Sequence, residues 1–304
     1  MRTFSRYAFA AALAVTFEVC STPMLTAAEV AAELPGPGVG AQYGFTHVYV
    51  AIADLEPFVR SFTATFGGRA SAPLTMTVTP TPSRTSFVAV RTPVGALSVF
   101  AFSTPIPYPF GAERTGYLVK DMDSAVRSAE AAGADLVVAP FADPIGRDAV
   151  IQWPGGVNMQ LYWHTIAPSY EPLATIPENR IYVSPQRADA FIDDFLRFSK
   201  GEVVSDERQA PAVEIGRPGE TYRRVRIASA FGNVMLFVTD GHLPFPYGRE
   251  LIGYEVTDVT ATTEKAIAAG VSVLIEPFQS NGRDSAIVQF PGGYIAEIHA
   301  ISRR

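Results

Sequence analysis

The amino-acid sequence predicts an α+β protein built from four βαβββ modules that pair into two similar domains. Three observations carry that reading. The chain repeats itself: "FTHVYVAIADLEPFVRSFTATFGG" at 45–68 returns as "ENRIYVSPQRADAFIDDFLRFSKG" at 178–201, and "APFADPIGRDAVIQWPGGVNMQLYW" at 139–163 returns as "EPFQSNGRDSAIVQFPGGYIAEIHA" at 276–300. Within each copy, period-two apolar runs alternate with segments whose apolar residues recur at helical spacing. Gly and Pro, 24 of each, punctuate the runs as turns between short strands do.

The elements follow in order. "FTHVYVAI" alternates as a strand. "DLEPFVRSFTATFGG" sets Leu55, Phe58, Phe62 and Phe66 on one helical face and stops at a Gly pair. "TSFVAVRT" and "ALSVFAFS" are β-rich runs parted by a "PVG" turn. "GYLVKD" opens the second module, "MDSAVRSAEAAGA" is its helix, closed by Gly133, and "DLVVAPF", "DAVIQW" and "NMQLYW" are its remaining strands. The second half repeats the order. The expected divisions are a first domain over 44–165, a linker over 166–177 ("HTIAPSYEPLATIPE" has Pro and no periodicity) and a second domain over 178–304. The aromatic-proline phrase "PYPFG" at 107–111, reworded as "PFPYG" at 244–248, joins the two modules within each copy.

Residues 1–28 have the order of a secretory signal peptide: two arginines, the apolar run "YAFAAALAVTF", then small residues. Cleavage there leaves 29–43 as a leading linker and sends the chain to the periplasm or the medium, with no membrane anchor. The one cysteine, Cys20, lies in the removed segment, so disulfides, thiolate catalysis and Cys-bound metal are excluded from the mature chain. A net charge of −6 gives no basic surface for nucleic acid. The expected partner is a small molecule; oligomeric state has no signature in the sequence.

The pair "D-x-D-x-A-x-x-x-A-x-x-A-G-A" at 121–134 and "G-R-D-x-x-x-x-x-P-G-G" at 146–156, set on four βαβββ modules, resembles the vicinal oxygen chelate superfamily. That superfamily includes glyoxalase I, extradiol dioxygenases, epimerases and bleomycin-resistance proteins. The resemblance covers almost all of 45–300. It implies glyoxalase-like domains, each a pair of modules curled into a half-open barrel with the site on the concave face. It also implies metal ligands, usually His and Glu, at inward-facing positions of the first and last strands.

In the first domain those positions hold His47 and Tyr49, then Gln160 and Tyr162, while the second module opens with Arg114, Gly116 and Leu118. His47 with Gln160 is half a metal site. In the second domain they hold Arg180, then Glu297 and His299, with Glu255 facing the same space. Glu255, Glu297 and His299 make a carboxylate–histidine set suited to Fe, Mn, Zn or Ni, but Arg180 points into it and would pair with Glu297. Glu297 and His47 are the candidate catalytic residues. Tyr49, Gln160, Tyr162 and Arg180, with the loop aromatics Tyr108, Phe110, Phe245 and Tyr247, are the candidate ligand contacts. The loop aromatics serve either as rims of two equivalent pockets or as packing plugs. Arg147 and Arg283, repeated in "GRD", read as turn partners of Asp148 and Asp284. The resemblance, with the export expected from residues 1–28, leaves three readings: an enzyme of lyase, isomerase or dioxygenase type with a divalent metal, a metal-free small-molecule binder, and a non-catalytic structural or partner-binding relic.

Overall fold

The computed structural model describes residues 36–301; the expected signal peptide and the expected cleavage near Ala28 lie outside them. Two curled mixed sheets form the molecule. The first runs from β1 (Gly44–Tyr49) to β9 (Val157–His164), and the second from β10 (Glu178–Val183) to β17 (Ile295–Ile301). Among the described residues no helix is long and apolar enough to cross a membrane.

The first sheet has the order β2-β4-β5-β1-β6-β9-β8-β7, with β2 (Arg69–Ala70), β4 (Thr85–Thr92), β5 (Gly95–Phe102), β6 (Thr115–Leu118), β7 (Asp135–Ala142) and β8 (Gly146–Trp153). The short β3 (Leu74–Met76) pairs with β4. The second sheet repeats the order as β11-β12-β13-β10-β14-β17-β16-β15, with β11 (Glu202–Pro211), β12 (Thr221–Ser229), β13 (Gly232–Val238), β14 (Leu251–Glu255), β15 (Ser272–Ser280) and β16 (Arg283–Gln289). In each sheet the two modules meet through their first strands, β1 on β6 and β10 on β14, antiparallel. The sheets therefore show the four expected βαβββ modules.

Four helices follow the first strands: α1 (Leu55–Phe66), α2 (Met122–Ala131), α3 (Pro185–Ser199) and α4 (Val259–Ala268). Asp121 and Asp258, at equivalent positions, cap α2 and α4 by accepting from the Ser124 and Ala261 amides. Pro185 opens α3, where its missing N–H costs nothing.

The helices bury their apolar faces against the opposite half of the chain. One core combines α2 and its strands with Phe191, Phe195 and Phe198 of α3 and the strands of that module. The other combines Phe58, Phe62 and Phe66 of α1 with Ala266 of α4 and Phe290. The first module of each half thus shares a core with the second module of the other, leaving the concave faces outward. The two Pro-Gly-Gly turns lock this pairing. Gly155 and Gly292 have φ of +93° and +82°, and a Cβ on them would come within 2.8 Å of Val183 and 2.6 Å of Val50, each in the opposite half. No helix follows either turn, so they are packing hairpins and not phosphate loops.

Phe62 is fully buried between α1 and the second half, whereas Phe245 is 61% exposed. Phe62→Ala is expected to cost about 3–5 kcal/mol in denaturant unfolding, and Phe245→Ala about 0.5 kcal/mol or less.

Candidate functional site

The two concave faces differ in one respect that decides their chemistry: the first is open and the second is filled. The first encloses a cavity of about 340 Å³, a fair size for a small-molecule site. Its walls are largely aromatic, with Phe45, Phe87, Phe100, Phe110 and Tyr162, and His47, Tyr49, Asp148 and Gln160 supply polar groups.

His47 is buried on β1, and its Nδ1 lies 3.3 Å from Oε1 of Glu113. Glu113 is fully buried in the loop before β6, and the Tyr49 hydroxyl donates to the same Oε1. The other oxygen, Oε2, has no partner among the described residues. A carboxylate at Nδ1 selects the tautomer protonated there and leaves Nε2 as the basic nitrogen. Nε2 sits over Gly116, where a Cβ would come to 2.7 Å, so β6 must have glycine at this point. Burial, then the Glu113 charge, push the Tyr49 hydroxyl well above its usual range, so Tyr49 remains a donor.

Asp148 lines the cavity from β8. Burial and the neighbouring Asp143 push its carboxyl up to about 8, against a hydrogen bond from Gln160. It is therefore largely a neutral, proton-bearing acid at pH 7. Arg91 is the only arginine or lysine among the lining residues. Its guanidinium stacks 3.4 Å from the ring centroid of Tyr170 and 5.2 Å from that of Phe45. Tyr170 belongs to the segment between the sheets, so that segment forms part of the cavity wall.

In the second half, Glu297 is 1% exposed, with Arg180 Nη1 at 3.4 Å from one oxygen and Arg283 Nη2 at 2.7 Å from the other. Arg283 also reaches Glu178 at 2.6 Å, and Arg226 stands 3.6 Å from Glu178. Beside them Arg224 pairs with Glu214, which also accepts from the Tyr222 hydroxyl at 2.7 Å. Arg180 rests on Phe237, 4.6 Å from the ring centroid. Against the rise that burial alone would bring, Arg180 and Arg283 hold the Glu297 carboxyl well below the usual range. The space left among these groups is about 10 Å³, at most one water.

Glu178, Glu297 and His299 place ligand atoms within 4.8 Å of one another, so by donor type and spacing this group could hold a metal ion. Glu255 is not in that group and Glu178 replaces it. The β14 residue in line with Glu178 and Glu297 is Gly253, which has no side chain to offer. Charge argues against an ion. Two carboxylates already face Arg180, Arg226 and Arg283, and a divalent cation would have to displace Arg283 from both. His299 Nδ1 stands 3.4 Å from a Glu297 oxygen.

Arg283 reaches this place through a slip of register. Asp148 lies opposite Tyr162, but the residue opposite the equivalent His299 is Ser285, not Asp284. The "GRD" motif has shifted by one residue between the halves, and in a strand one residue reverses the face. Asp148 and Arg283 therefore point into their concavities, while Arg147 turns to the helix side and pairs with Asp123 at 3.0 Å. Arg147 thus takes Asp123 as its partner, and Arg283 takes Glu178 and Glu297, in each case a carboxylate on the arginine's own side of the sheet.

Of the other expected contacts, Tyr162 lines the first cavity, its hydroxyl donating to the Tyr43 carbonyl at 2.5 Å. The loops that carry the aromatics contain cis peptides before Pro109 and Pro246, and they are not equivalent rims. Phe110 is buried in the first cavity wall, while Tyr247 packs in the second half with Leu251, Ile287 and Ile295. Tyr108 and Phe245, 77% and 61% exposed, line neither concavity. Arg114 faces away from the first cavity, into a cleft between the halves.

Sequence reasoning missed Glu113, Asp148, Arg91 and Glu178. Two of these had a signal. Glu113 recurs as Glu250 in "GAERTGY" and "GRELIGY", and Glu178 precedes Arg180 by two residues on one strand face.

No protein-family profile and no curated protein matches the chain by sequence. Solved structures match its fold. A triple mutant of 4-hydroxymandelate synthase from Streptomyces coelicolor superimposes with a TM-score of 0.57 at 13% identity, over 87% of this chain and 94% of that one. The Mn(II)-bound glyoxalase from Novosphingobium aromaticivorans gives 0.55 at 12% identity, over 88% and 84%. A homoprotocatechuate 2,3-dioxygenase variant from B. fuscum, in complex with HPCA, gives 0.57 at 12% identity, over 89% and 73%. The chain has the tandem vicinal oxygen chelate fold.

Glu297→Gln is expected to leave two buried guanidinium groups undercompensated and to cost about 3–5 kcal/mol. The native carboxyl titrates below its unfolded value, so its contribution is full above about pH 4.3 and is lost as pH falls further. Unfolding midpoints measured against pH should show that acid loss in the wild type and a flatter acid limb in the variant.

Proposed function

We propose that the first concavity binds a small oxygenated aromatic molecule and catalyses a metal-independent proton transfer on it, of isomerase or lyase type. The observation that carries this reading is the His47–Glu113 contact beside a cavity with largely aromatic walls. In this mechanism Nε2 of His47 takes a proton from carbon beside a carbonyl. Asp148, which carries a proton at neutral pH, gives it to the carbonyl oxygen as the enol forms. Delivery of the His47 proton to another carbon, with the enol proton returning to Asp148, isomerises the ligand; departure of a leaving group that takes the His47 proton, as the enol proton returns to Asp148, makes the reaction a lyase instead. Arg91 would hold an anionic or strongly accepting oxygen of the ligand against the aromatic wall. Glu297, buried under two arginines, takes a structural role.

The fold also hosts metal chemistry, and metals are named among the solved neighbours. Here Gln160 and Tyr162 occupy the last-strand positions of the open cavity, and an amide and a tied phenol are poor ligands. A metal-free binding protein is the second reading, favoured by the extent of aromatic wall. Export remains part of the proposal, supported by the order of charged, apolar and small residues in 1–28.

A panel of small aromatic ketones and keto acids in deuterated buffer, with chelator present, tests the mechanism by NMR. Wild type should exchange the hydrogen beside the carbonyl of at least one compound, and His47→Gln should lower that rate by about 100-fold or more. Exchange should decline as pH rises through about 8, because Asp148 then loses its proton, and Asp148→Asn should remove that decline. Binding without exchange supports the second reading; exchange that depends on added metal contradicts both.

A further inference from the structure

We propose that the cleft between the two halves is a binding site for a small oxyanion, a carboxylate or a phosphate, held by Arg114 and Arg249. The cleft measures about 100 Å³, enough for a few waters or one such ion. Arg114 comes from the loop before β6, and Arg249 and Glu250 from the equivalent loop before β14. Tyr49 and Tyr294 complete the polar lining.

The argument rests on which charges have partners. Arg180, Arg223, Arg224, Arg226 and Arg283 each have a carboxylate within 3.6 Å. The guanidinium groups of Arg114, half-buried, and Arg249, exposed, make no ion pair and no side-chain hydrogen bond among the described residues; the Arg114 carbonyl accepts from the His47 amide, and the Arg249 guanidinium stacks on the Phe245 ring, 5.1 Å from its centroid. A guanidinium removed from part of its water without an acceptor is unfavourable, and an oxyanion supplies that acceptor in bidentate geometry.

Glu113 and Glu250 stand near these arginines. Burial pushes the Glu250 carboxyl up to about 8, against Arg114 and with Glu113. At neutral pH it is largely a protonated acid lining the cleft, so it adds little negative charge beside the two guanidinium groups. Tyr49 lines both this cleft and the first cavity. Its hydroxyl bonds Glu113, so an ion in the cleft is one side chain from the His47 contact. The site itself stands whether or not the first cavity is catalytic.

Titration of the full chain with sodium acetate and, separately, inorganic phosphate in low-salt buffer tests it, read by calorimetry and by the arginine Nε–H signals in NMR. One saturable site per chain is expected, with the Arg114 signal shifting. Acetate preference would mark a carboxylate ligand, and phosphate preference a phosphoryl one. Arg249→Gln, at an exposed position that folding tolerates, should weaken binding about tenfold, the loss of one charge-assisted hydrogen bond. Arg114→Gln should weaken it at least as much. Affinity should fall as pH rises through about 8, where Glu250 becomes a second negative charge. Absence of saturable binding by either ion, or binding unchanged in Arg249→Gln, would overturn the proposal.

Discussion

Glu297 lies between the guanidinium groups of Arg180 and Arg283 at 3.4 and 2.7 Å, out of contact with water, and the character of the second half depends on that contact. Burying one carboxylate so completely is tolerable only with matched positive charge. Once Arg283 enters, Glu178 becomes its second partner, and Arg224 with Glu214 extends the network along the sheet. The concave face fills. What the fold would offer as a second ligand site becomes a polar core, and its charge compensation comes from side chains.

The first half takes the opposite course from nearly the same sequence plan. His47 stands where Arg180 stands, Gln160 where Glu297 stands, and Tyr162 where His299 stands. With neither arginine nor a carboxylate at the last strand, no ionic network closes the face, and aromatic rings line it instead. The polar groups that remain are a histidine held by one buried carboxylate and an aspartic acid kept protonated by burial. Duplication gave the protein two concavities; substitution at a few inward positions made one open and the other structural. Since the halves share both hydrophobic cores, the closed half also supports the shape of the open one.

The modules and their helices were legible in the sequence because strand and helix periods are local and each was written twice. So was the Arg180–Glu297 pair, because both residues lie in regular alternation on strands that the repeat aligns. The one-residue slip of "GRD" was not. Sequence matching aligns identical letters, whereas the sheet aligns hydrogen-bonded partners, and Asp284 matches Asp148 in letter but Ser285 matches it in place. Glu113 escaped for a different reason: it sits in a loop, where alternation gives no facing, and only its burial against His47 reveals it. Tyr170 and Arg91 meet across segments distant in the chain, which no periodicity connects.

The central claim, one open ligand site per chain in the first half, is tested most directly by binding stoichiometry. For the best-bound uncharged compound of an aromatic panel, which the oxyanion cleft would not take, calorimetry should give one site per chain, lost when Ser98, which lines the first cavity, is replaced by Trp to fill it, with folding verified by circular dichroism. Two sites per chain, or one site unaffected by Ser98→Trp, would contradict the account and move the ligand to the second half.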